Sequence, residues 1–340
     1  MRRTLVAGAL VAVVAVTVVV LVVNRNAPEP PRLPLRATGE VELPVDGSRF
    51  DYAGLDAAHG LLFVAHLGAG EIIEVDVRAH KVVRVIPNVS QVHGVIVVSA
   101  LHRVFATATG DNTVVGLDED TGEVIVQAPT GKYPDGLAFD SRRGAVWTTN
   151  ETGGSETVID ANTGTVRATV PLGGEVGNVV YDPAADRMLV AVQGRNDVAV
   201  LDPGTFEVTE RIALPDCDHD HGLAVESSNR LAFVACDGNA TLLTVDLATG
   251  KVVDRDPVGE EPDVLSYDQN AHRLYVAAES GTVTVLDLRD RRLTVTGSDH
   301  LADDAHVVTV DPGTHHSFYP VPTGANGRPA LLEREPTQQK

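Results

Sequence analysis

Seven positions recur at near-constant spacing, Asp51, His93, Asp135, Gly177, His221, Asp263 and His306, separated by 42, 42, 42, 44, 42 and 43 residues, and all but Gly177 carry residue types able to do chemistry. If these positions face one axis, the three histidines fall at steps of three, two and two units, close to trigonal. Three imidazoles so placed, with the aspartates behind them, form a donor set for a divalent metal ion that leaves one position open. A metal-bound water or a polarised substrate would then react, with Asp135 or Asp263 as general base. The competing reading is a wet channel mouth in which Asp and His merely bond turn amides, since clustered ionisable groups mark function only probabilistically.

A second tier follows each unit's second apolar segment: His66, Thr109, Asn150, Glu151, Gln193, Asp237 and Glu279. With Asp51 it is expected to line a ligand-binding funnel, the alternative being that it satisfies loop backbone. The densest ionisable cluster is Asp218-His219-Asp220-His221. Of the only two cysteines, Cys217 precedes the first strand of this unit and Cys236 ends its second. A disulfide beside His221 is the leading expectation for an exported chain, against two free thiols or a Cys/His metal contribution. His59, His102, His272, His315 and His316 sit in turns on the opposite face, and His80 in another turn, where surface roles are expected.

Several signatures are missing from the chain: a Gly-x-Ser-x-Gly elbow, a phosphate loop, a Rossmann glycine pattern and a Cys-x-x-Cys-His haem site. The 340 residues carry 27 basic and 47 acidic side chains, a formal net charge of −20. That balance opposes a nucleic-acid partner, because phosphate binding needs a Lys/Arg surface. A cation is attracted instead.

The elements that would position these residues are strands. Each unit but the last has four apolar segments separated by turn signals. The first ends at an acidic turn (Asp140, Asp182-Pro183, Asp268, Asp311-Pro312), and a Gly/Asn turn follows the second (Gly110-Asp111-Asn112, Gly194-Arg195-Asn196, Gly238-Asn239). The third ends in Asp, before a Thr-Gly turn such as Thr163-Gly164 or Thr249-Gly250. Seven four-stranded units of this period predict an all-β, seven-bladed β-propeller over residues 36–335. The last unit is one strand short, and Arg36–Pro44 is an unassigned strand before the first. That N-terminal strand is expected to complete the last blade and remove an exposed edge.

Units such as RLYVAAESGTVTVLDL and GRNDVAVLDPGTFEVTERI resemble the YVTN-repeat β-propeller family. RFDYAGLD, FVAHLGAGEIIEVD and AHVVTVDPGTHH are similar to an exported bacterial subgroup. The resemblance implies the fold over about residues 36–335 and leaves the activity open, since propellers host lyases, lactonases, electron-transfer subunits and binding platforms.

Before the repeats lies different material. Arg2 and Arg3 precede an apolar run from Leu5 to Val23, long enough to span a bilayer. We read residues 1–4 as a cytoplasmic stub, 5–23 as a transmembrane signal anchor and 24–35 as a proline-rich spacer outside the core, with 336–340 as a polar tail. The positive flank predicts a single-pass membrane protein with the propeller outside the cytoplasm, or a secreted one if the segment is cleaved. The expected function is a monomeric scaffold binding a small molecule or protein at the channel face. The alternative is a metal-assisted lyase or lactonase with His93, His221 and His306 holding the metal.

Overall fold

The computed structural model describes residues 32–337 and contains seven four-stranded antiparallel sheets arranged as blades. Blade five shows the pattern: Asp220–Glu226 innermost, then Leu231–Cys236, Thr241–Asp246 and, outermost, Lys251–Pro257. Its second strand is buried at every position, whereas the outer strand alternates between exposed and half-buried residues. Burial on both faces follows from stacking between neighbouring blades, and water meets the outer strand and, at the axis, the inner one.

The core is therefore a set of layers, one at each blade junction. Trp147, Val158, Val190 and Leu201 fill the junction of blades three and four, and Phe63, Val95, Val104 and Leu117 that of blades one and two. Turn chemistry matches the sequence: Asp140 Oδ1 accepts from the backbone N–H of Arg142 (3.0 Å) and Arg143 (3.1 Å). Gly164 takes the left-handed conformation (φ +72°) that its Thr-Gly turn demands. Asn112 and Asn196 do likewise, but in blade five Ala240 (φ 50°) takes the left-handed position, one residue beyond Asn239.

Ring closure follows the expectation. The strand Leu35–Glu42 pairs with Ala330–Pro336, from Leu35 opposite Pro336 to Glu42 opposite Ala330, and becomes the outer strand of blade seven. Val41 and Leu331 then pack into the junction with blade one. Two boundaries differ from the sequence reading. The strand begins at Leu35, and Leu33 packs against the junction of blades six and seven, so the end of the proline-rich stretch does contribute to the core. The apolar run 5–23, assigned as a membrane anchor, lies outside the described residues. Among those described, no helix is long and apolar enough to cross a membrane.

Candidate functional site

The inner strands enter the axis at one face, and the loops leaving the second strands reach the same face. Between them is a cavity of about 520 Å³. Of the repeated positions, Asp51, His93, Asp135, His221 and Asp263 line it. Gly177 sits where a Cβ would come within 2.9 Å of the His221 backbone, which explains the bare position in blade four.

The three histidines are each engaged differently and do not come together. His93 Nδ1 donates to the Gln91 carbonyl (2.8 Å), and Nε2 accepts from the Tyr133 hydroxyl (3.1 Å). Burial pulls its pKa down to about 4, so the ring is neutral. His306, 1 % exposed, points Nδ1 at the Asp304 carbonyl (3.0 Å) and Nε2 at the Phe50 carbonyl (3.1 Å), leaving no lone pair aimed into the cavity.

His221 is a cation. Burial would lower its pKa, but the hydrogen bond to and charge of Asp263 (Nε2 to Oδ1, 3.2 Å), with Asp135 and Glu151, push it up to about 10. The Tyr52 hydroxyl is 3.1 Å from the same nitrogen. The Gln193 side-chain amide meets Nδ1, and its buried Oε1 has no partner as placed. Turning the amide so that Oε1 accepts from Nδ1–H satisfies both groups.

The aspartates divide by charge. Burial would raise Asp263, but His221, His306 and Arg49 together hold its carboxyl below the usual range. Burial and the charge of Asp263 push Asp51 up to about 7, and burial with the charge of Asp51 pushes Asp135 well above the ordinary value. Arg49 forks Glu279 (2.6 and 3.1 Å) and lies 3.9 Å from Asp51.

The metal expectation is tested by this donor set. Among the described residues, the axial group whose ligand atoms lie within 4.8 Å of one another is Asp263, Glu279 and His306, not the histidine trio. In that group Arg49 already neutralises Glu279 and the His221 imidazolium already neutralises Asp263. Built-in cations stand where a metal would, so the residues present do not fit one.

The second tier splits in two. Glu151, Gln193, Asp237 and Glu279 line the cavity; His66 and Asn150 do not. His66 and Asn150 are the last residues of their strands, and the alternation of side chains turns them into the blade. His66 is bonded to Ser48 Oγ (2.9 Å) and Glu71 (2.9 Å) and stacks on Phe50. Asn150 accepts from the Gly131 N–H (2.8 Å) and donates to Ser155 and Thr157. The axis-facing register is the next residue, which brings in Leu67. Thr109 occupies that register too, but its hydroxyl donates to the Pro134 carbonyl.

Another ring, of which the sequence reading held only His219, is formed by Arg49, Gln91, Tyr133, His219 and Glu261, each two residues before a repeated position and all lining the cavity. Gln91, Tyr133, His219 and Glu261 have φ of 48°, 60°, 61° and 55°, a left-handed conformation unusual for such side chains. The same 42-residue period that exposed the first ring would have found this one.

Cys217 and Cys236 form a disulfide, with Cα atoms 5.4 Å apart. It ties the loop carrying His219, which leads into the inner strand at His221, to the end of the neighbouring strand. Replacing both by Ser is expected to lower stability by about 3 kcal/mol, the loop-closure value for a 19-residue separation, read from urea unfolding.

No family model and no curated protein matches the chain, so the YVTN-repeat resemblance stays unconfirmed. Solved structures of similar shape include hydrazine synthase from Kuenenia stuttgartiensis (14 % identity, TM-score 0.72, 83 % of this chain and 94 % of that chain). A streptogramin B lyase (13 %, 0.73, 88 % and 97 %) and U3-55K (12 %, 0.75, 90 % and 99 %) are comparably similar. At such identities they show the fold: the chain is a seven-bladed β-propeller.

Proposed function

We propose that this propeller is a monomeric, non-catalytic binding scaffold whose axial mouth captures a small cationic molecule, an amine or a guanidine. The observation that carries the reading is the charge of the cavity wall. Seven carboxyl groups line it, those of Asp51, Asp135, Glu151, Asp237, Glu261, Asp263 and Glu279, against a single arginine and three histidines. Even leaving aside Asp135, whose carboxyl burial pushes well above its ordinary value, the other six carboxyl groups outnumber the two cations Arg49 and His221. Tyr52 and Tyr133 add aromatic faces suited to an ammonium or guanidinium group.

Calorimetric titration with agmatine, spermidine and choline, with citrate as anionic control, tests it. At least one cation is expected to bind at pH 8 and to weaken severalfold by pH 6, as Asp51, with its pKa near 7, takes up a proton. Preferred binding of citrate, or cation binding unchanged in Glu151→Gln and Glu261→Gln, would sink the proposal.

The second reading is an acid–base lyase, for which the base would be Asp51, whose pKa lies near neutrality, rather than Asp135 or Asp263. That a streptogramin B lyase shares the architecture gives this reading its interest. We also place the propeller outside the cytoplasm, tethered by residues 5–23, within the YVTN-repeat family. The disulfide supports the address, since such bonds persist in oxidising compartments.

A further inference from the structure

We infer that a second ligand site, for a divalent transition cation of the Zn2+ type, lies at the seam of blades one and two on the face opposite the axial mouth, built from Asp56, His59 and Glu119. Asp56 ends the inner strand of blade one, His59 sits in the turn after it, and Glu119 follows the third strand of blade two. One ligand atom from each lies within 4.8 Å of the others.

The observation that points to a ligand is Glu119. Its side chain belongs to a residue only 4 % exposed, and among the described residues neither carboxylate oxygen meets a donor, the group facing it being the Asp56 carboxyl. Asp56 is 1 % exposed and faces the same spot. Two buried carboxyl groups turned toward each other require something positive between them.

The repeat supplies internal controls. The equivalent aspartate meets Arg143 in blade three (3.0 Å), Arg187 in blade four (3.1 Å) and His315 in blade six (2.7 Å). In blade one His59 plays that part toward Asp56, and the neighbouring blade adds Glu119 with no cation of its own, whereas Asp186, which blade four adds at the seam with blade three, is itself held by Arg143 (2.8 Å).

The nearby arginines do not neutralise it. Arg78 donates to the carbonyls of Ala57 (2.8 Å) and Ala58 (3.0 Å). Arg84 Nε is committed to Glu74, and its Nη2 reaches the Glu119 backbone carbonyl at 3.2 Å, not its side chain.

One imidazole nitrogen and two carboxylate oxygens are the ligand types of zinc, and the nitrogen disfavours magnesium and calcium. The exposed side chain of His59 opens one flank to solvent, where water completes the shell. Binding displaces the proton that otherwise holds His59 Nδ1 against Asp56. A proton shared between Asp56 and Glu119 is the competing occupant.

The test is zinc alone, titrated into the chelator-treated full chain at pH 7.5 and followed by equilibrium dialysis and thermal melting. Wild type is expected to bind one equivalent and to melt several degrees higher with zinc. His59→Ala, a change at an exposed side chain, and Glu119→Gln should each bind at least tenfold more weakly and lose the shift. Glu279→Gln, which disables the axial group, should keep the wild-type zinc stoichiometry and the zinc-induced rise in melting temperature. No zinc bound at micromolar concentration, or binding lost in Glu279→Gln but kept in His59→Ala, would overturn the inference. If Glu119→Gln fails to fold, His59→Ala alone decides.

Discussion

His221→Gln is expected to destabilise the propeller by about 3 kcal/mol at neutral pH, because it leaves the buried Asp263 carboxylate without its cation. The larger signature is in the pH dependence. His221 titrates near 10 in the fold against 6.5 when free, so its contribution is complete below pH 6.5 and drains away as pH rises toward 10. Asp51 and Asp220, both raised to about 7, have the same sign: the fold holds their protons more tightly than the unfolded chain does, and stability falls as pH climbs from about 4 to 7. His93, lowered to about 4, opposes them only between pH 4 and 6.5. Urea unfolding of wild type should therefore show stability declining steadily from pH 7 to 10, and the decline should flatten in His221→Gln. Parallel curves for the two proteins would show that the His221–Asp263 pair does not carry a proton in this way. Adding Asp263→Asn should restore part of the loss, since the unpaired charge is then gone.

Ring closure sets the second expectation. A chain beginning at residue 32 should fold, whereas one beginning at residue 45 should lose cooperative unfolding and aggregate. The shorter chain lacks the strand that pairs with Ala330–Pro336, and with it the buried side chains of Val41 and Leu43. At about 1.5–3 kcal/mol for each such side chain, the loss takes much of the 5–15 kcal/mol that holds a typical domain together. It also bares a long edge of blade seven to intermolecular pairing. Size-exclusion chromatography and thermal melting of the two chains decide it; a monomeric, cooperatively melting chain from residue 45 would refute the closure role.

The architecture was legible because it is periodic: one register position repeated seven times fixes the blade count, and the missing strand of the last unit points to the first. The site was legible only where it shares that period. Asp51, His93, Asp135, His221 and Asp263 were found because the repeat puts them at one depth. His66 and Asn150 were misplaced by a single residue, which in a strand means the opposite face. Arg49 and Tyr133 were overlooked because their side chains reach the axis from outside the inner strands. The pairing of charges lay beyond the sequence altogether. That Arg49 would clasp Glu279 from blade six, or His221 meet Asp263, depends on blades whose segments are far apart in the chain.

The left-handed residues at the rim bear on how an encounter proceeds in time. Holding Gln91, Tyr133, His219 and Glu261 in that conformation costs about 1–3 kcal/mol apiece, and folding meets the cost before any visitor arrives. The mouth is thus already in its receiving shape, and docking need not order a loop or wait for a rare conformer. Arrival should then be governed by diffusion and by the pull of the acidic wall, falling as salt is added. Selectivity among visitors would appear in how long each one stays.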